Sequence, residues 1–86
     1  MKLKKFDLLL IEWQDACSKD LGWINLEDYN PTEMKAEGLA ITVGYLIEED
    51  KESIHLVHTI GKAKDCGILY MMIPKGCILS IKKIGI

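Results

Sequence analysis

Eighty-six residues, 49% of them apolar, make one domain spanning 1–86, with no room for a second core. The formal net charge of -2 argues against general DNA or RNA binding, sequence-specific recognition included, because such binding needs a basic surface meeting several phosphates. All eleven basic residues are lysine, so anions are met by point charges and not by the bidentate fork of arginine.

The chain opens MKLKKFDLLLIEW, in which residues 5–13 read as a first strand, too short for a helix and apolar enough to be partly buried on both faces. Basic residues before an apolar run imitate a secretion signal. The run Leu8–Ile11 is too short for one, is flanked by Asp7 and Glu12, and precedes no small-residue cleavage site. Trp13 closes this strand on the face of Leu9 and Ile11, which makes it either a core or rim ring or a stacking platform. Asp15 follows at the strand exit, where an aspartate fixes a turn or accepts hydrogen bonds from a ligand.

Residues 18–37 are polar and irregular, the one long loop. Within it, Trp23 follows Gly22 and Tyr29 precedes Asn30-Pro31, and loops on a rigid scaffold are where binding residues gather. Thr32 is placed to cap a single helical turn over 32–37, and Glu27 and Asp28 read as solvated carboxylates.

The next strand is expected over 39–47 (LAITVGYLI), with a hairpin tip at 48–52 and a return strand at 53–60 (SIHLVHTI). His55 and His58 fall on opposite faces of that strand, so they hold no metal jointly. No Ser or Cys is placed by sequence to make either one part of a nucleophilic pair. A loop at 61–65, a strand at 67–73, a turn at 74–76 and a last strand at 77–84 complete the chain, with Ile78 and Leu79 expected to be buried. Lys2, Lys4 and Lys5 before the first strand and Lys82 and Lys83 at the end of the last form a basic patch if those strands are neighbours. Such lysines attract an anion or guard an edge.

Cys17, Cys66 and Cys77 are odd in number and lack CxxC spacing, so neither a disulfide framework nor a zinc site is expected. No run of 18 apolar residues is present. The expectation is a protein of the cytoplasm with no metal and no cofactor. Five short strands with short loops predict a mainly β fold, a small SH3-like antiparallel barrel with one long irregular loop and room for one helical turn; a curved sheet with one helix is the competing arrangement. A chain this small has a stability of roughly 4–13 kcal/mol, which a homo-oligomer would raise.

The segments Trp13-Gln14-Asp15-Ala16, Gly22-Trp23, Val43-Gly44-Tyr45-Leu46, Ile54-His55-Leu56 and Ile73-Pro74-Lys75-Gly76-Cys77-Ile78 resemble, in that order, small proteins encoded by bacteriophages and prophages. The resemblance covers most of residues 11–84 and brings no active site with it. It implies a phage origin and action in the cytoplasm of the infected cell, such as blocking host defence. Three classes of function follow. One is a non-enzymatic binder, as a homo-oligomer, sequestering a nucleotide-type or other small anionic signal through Trp13, Asp15, Trp23 and Tyr45. Another is an adaptor or inhibitor that docks on a host protein through Trp23 and Tyr29. The third, a hydrolase using His55 or His58, is the least favoured, and the expectation is that the protein is not an enzyme.

Overall fold

A computed structural model describes residues 2–15, 27, 30, 32 and 38–85. The described strands are β1 (Leu8–Gln14), β2 (Leu39–Glu49), β3 (Ser53–Ile60), β4 (Gly67–Pro74) and β5 (Ile78–Lys83). Every pairing is antiparallel, and the five strands make one sheet in the order β4-β3-β2-β1-β5. In that order β4 and β5 are the two outer strands, so the sheet is not closed. A single 3-10 turn, Lys75–Cys77, joins β4 to β5 where the Pro74-Lys75-Gly76 turn is expected.

Alternation explains which face is buried. Leu9 and Ile11 of β1 are fully buried, while Glu12 points to solvent. They form the core with Leu46, Ile54, Leu56 and Ile73, against which Leu3, Trp13, Ile78 and Ile81 pack. Ile73 sits on one outer strand and Ile78 and Ile81 on the other, so the sheet must curl for one cluster to collect all three. Gly44 permits a close approach at the middle of β2: a Cβ there would lie 3.1 Å from the Val57 carbonyl oxygen and 3.3 Å from Leu56 Cβ.

Several boundaries differ from the sequence reading. β1 starts at Leu8 and not at residue 5, because Lys4 and Asp7 close a turn, with the Asp7 N–H donating to the Lys4 carbonyl at 3.0 Å. β2 runs on to Glu49, since Glu48 and Glu49 pair with His55 and Ile54 beyond a bulge after Leu46. The hairpin tip is therefore shorter. Asp50 caps it, its Oδ1 accepting the N–H groups of Glu52 at 2.8 Å and Ser53 at 2.7 Å. Leu79 is exposed and not buried, because the β1–β5 register slips between Glu12–Ser80 and Trp13–Ile78 and leaves it unpaired. The Thr32 N–H donates to Asn30 Oδ1 at 3.0 Å. The rest of the helical turn expected over 32–37 lies outside the described residues, as do Trp23 and Tyr29.

Candidate ligand-binding site

The turn before β1 does more than start a strand. Phe6 stands in it at φ 72°, a left-handed conformation that bulky residues rarely adopt. Two bonds to β2 hold it there: the Phe6 N–H donates to the Leu46 carbonyl at 2.7 Å, and the Leu46 N–H donates to the Asp7 carbonyl at 2.8 Å. The ring consequently stays out of the core cluster and faces the β3–β4 loop.

That loop is built to present lysine. The Gly61 N–H donates to the Cys66 carbonyl at 2.8 Å and the Lys64 N–H to the Gly61 carbonyl at 2.7 Å, closing a four-residue hairpin loop with Lys64 at φ 60°. The Lys64 ammonium lies 5.4 Å from the centre of the Phe6 ring and the Lys5 ammonium 5.3 Å, both within cation–π range. Phe6, Tyr45, His58, Thr59, Lys62 and Lys64 line a cleft of about 410 Å³, with Ile60 and Gly61 completing it. A second space of about 210 Å³ shares Phe6, Ile60 and Lys64 and adds Lys5, Ile47, Val57, Cys66 and Gly67, with the carboxylate of Asp65 among its lining. The larger cleft falls within the usual range for small-molecule sites. His58 Nδ1 lies 3.1 Å from Thr59 Oγ1 at its rim.

The residues singled out from sequence separate into two places. Tyr45 lines the cleft. Trp13 does not: its indole N–H donates to Thr42 Oγ1 at 2.9 Å and its ring packs on the core. Trp13 pairs with Ala40 and Tyr45 with Leu8, five rungs apart and on opposite faces, or about 16 Å along the strand. Asp15 is exposed just beyond Trp13, tied by its N–H to the Gly38 carbonyl at 2.7 Å. Trp13 and Asp15 thus share one end of the sheet, and Tyr45 stands at the other.

The first and last strands are neighbours, the condition set for the lysine patch, with Leu9 opposite Lys83 and Leu10 opposite Lys82. Asp7 sits among those charges, 3.4 Å from Lys83 Nζ. The Lys4 N–H on its carboxylate, and then the charge of Lys83, hold it below the ordinary aspartate range. Sequence reading missed Phe6, Lys62 and Lys64 as site residues. The available signal was an aromatic residue next to a lysine cluster at Lys4-Lys5-Phe6, but only the fold brings residues 61–66 to it.

His55 is engaged on both ring nitrogens. Its Nε2 lies 2.7 Å from Asp50 Oδ2 and its Nδ1 2.6 Å from the Tyr70 hydroxyl, while the two rings stack with centres 5.9 Å apart. With the Nε2 proton on the carboxylate side, Nδ1 accepts from Tyr70. The His55 bond, followed by the Glu52 N–H, lowers the Asp50 pKa. Among the described residues, no group of three or more His, Cys, Asp or Glu is placed to hold a metal ion, and Cys66 and Cys77 are free thiols. No described helix is long and apolar enough to cross a membrane.

Comparison of the chain with protein-family models, with curated proteins and with solved structures finds no match.

Proposed function

We propose that this chain is a non-enzymatic binding protein whose Phe6–Tyr45–His58 cleft takes a small anionic ligand bearing a flat ring, with a nucleotide-type signal as the class. One observation carries the reading: a phenylalanine ring held outside the core by a strained backbone, with two lysine ammoniums within 5.4 Å of its centre. Phe6 and Tyr45 offer faces on which a base stacks, and Lys5, Lys62 and Lys64 offer point charges to a phosphate. His55, with both nitrogens engaged, has no free acid–base position, which favours a binder over a hydrolase.

The strand order β5-β1-β2-β3-β4, with a 3-10 turn before the last strand, supports an SH3-like reading of the curled sheet. The resemblance to phage-encoded proteins supports placing this binding in the cytoplasm of an infected cell. There, sequestering a host-derived nucleotide signal would blunt antiviral defence.

The test is a melting-temperature screen of the full chain against cyclic nucleotides and ADP-ribose-type nucleotides. A ligand at about 100 times its Kd adds about 2.7 kcal/mol of stability, a rise of roughly 10–20 °C for a domain of this size. High salt should shrink the rise, and Phe6→Ala should abolish it. No rise with any nucleotide, or a rise unchanged in a folded Phe6→Ala protein, overturns the reading.

A further inference from the structure

β4 is an outer strand whose exposure contradicts its composition. Gly67–Pro74 (GILYMMIP) carries no charge, yet Ile68 is 62% exposed, Leu69 70%, Tyr70 62%, Met71 39% and Met72 49%. Only Ile73 reaches the core. One side of β4 pairs with β3, and the other has no strand beside it in the described sheet. An outer strand of this kind presents unpaired backbone N–H and C=O groups, which proteins ordinarily protect with lysine, proline or a covering element. The opposite edge follows that practice: β5 ends in Lys82-Lys83. β4 has proline only at its last position, Pro74, and no lysine, so the Ile68–Met72 stretch is the barer of the two edges.

We propose that the bare edge is an interface with a second copy of this chain, formed by antiparallel pairing of the two β4 strands about a two-fold axis near Tyr70. Three observations select a second copy as the occupant. An uncharged strand meets no like charge when it pairs with itself, so a two-fold contact carries no electrostatic penalty. The pairing is self-complementary, because with Tyr70 at the axis Ile68 opposes Met72 of the partner subunit, while Leu69, at φ 60°, stands outside the extended ladder. Finally, the area suffices. With about 150–250 Å² as the extent of a large side chain, these exposures leave roughly 550 Å² per copy, so two copies together offer about 1,100 Å² of apolar surface, against about 1,000 Å² for a specific interface. Tyr70 is also pre-set for a central role, since the His55 hydrogen bond and ring stack fix its orientation before any partner arrives.

Sedimentation and native mass spectrometry of the full chain at micromolar concentrations test the proposal. A dimer is expected. Ile68→Lys with Leu69→Lys, outside the Phe6 cleft, should weaken it at least about 30-fold while the β-sheet circular dichroism is kept. A monomer at all concentrations overturns the proposal, and so does a dimer that persists in the folded double variant. Hydrogen exchange on the unmodified chain decides the matter even if the variant fails to fold. The β4 amides that face away from β3 should be protected where the dimer is populated and lose that protection on dilution. Rapid exchange of those outward amides in the dimer would place the interface elsewhere. Nucleotide binding is read separately, so failure of the dimer leaves the cleft's own test intact.

Discussion

Lys64 holds its ammonium 5.4 Å from the centre of the Phe6 ring while its own backbone sits at φ 60°, so a residue ill-suited to the turn is kept with its charge beside the ring. The left-handed conformation costs a non-glycine residue roughly 1–2 kcal/mol, part of which glycine returns as unfolded-state entropy. If the charge is what the position is for, stability and binding must move in opposite directions on its removal. Lys64→Gly should leave the chain neutral to about 1 kcal/mol more stable, and should weaken nucleotide binding by about tenfold, the loss of roughly one partly screened charge contact. Chemical denaturation and titration of the same sample check both. A Lys64→Gly protein that binds as tightly as the unmodified chain would remove Lys64 from the site.

Trp13 gives the converse case, a large ring whose polar atom is already satisfied. Thr42→Val keeps the shape of the neighbour but withdraws the acceptor at 2.9 Å, leaving a half-buried indole N–H without its partner. The expected cost is about 1–2 kcal/mol of folding free energy. Nucleotide binding should not change, because Thr42 and Trp13 stand three and five rungs from Tyr45 and on the opposite face of the sheet. A change in affinity without loss of stability would return Trp13 to the ligand site.

The strands were legible where alternation and turn residues agreed. β3 spans Ser53–Ile60 as its β-branched residues and its flanking tip and Gly61 demand, and Leu9 and Ile11 are the core positions that the period of two selects. Phe6 was not legible as a site residue, because nothing in Lys5-Phe6-Asp7 announces a left-handed backbone; the two bonds that Leu46 makes to Phe6 and Asp7 impose it from β2. Nor was the meeting of Lys5 with Lys64, which are 59 positions apart and joined only by the curl of the sheet. β4 shows a deeper limit. An apolar run reads the same whether it fills a core or lies exposed, and only the position of β4 at the sheet edge separates the two.

Ile73 is the point where β4 does enter the core, and it is fully buried beside Ile54 across the β3–β4 ladder. Ile73→Ala should cost about 2–5 kcal/mol through lost burial and the cavity left behind. Against a total of roughly 4–13 kcal/mol for a domain of this size, that is enough to unfold a large share of the molecules at physiological temperature. Ile68→Ala, one strand position class away and exposed, should cost less than about 0.5 kcal/mol in the monomer. Denaturation of the two variants side by side checks the contrast, and equal losses would show that β4 packs uniformly and not through Ile73 alone.

Asp50 links the β2–β3 tip to β4 through His55 and Tyr70, and this chain of contacts has a pH signature. The carboxylate accepts from His55 and from the Glu52 and Ser53 N–H groups, so its folded pKa lies below that of the unfolded chain. A carboxylate of this kind contributes stability that is fully present above the unfolded value, near pH 4, and that is lost as the pH falls through the folded one. Asp7 acts in the same sense, held down by the Lys4 N–H and Lys83. Stability should therefore decline on acidification below about pH 4, and the Asp7→Asn, Asp50→Asn pair should flatten that decline while lowering stability at neutral pH. Asparagine keeps an oxygen for the backbone donors and so preserves the turn, while the difference reports the carboxylate charge together with the His55 bond to Asp50 Oδ2. Urea melts at neutral and acid pH measure it, and an acid decline as steep in the double variant as in the unmodified chain would assign the effect to other carboxylates.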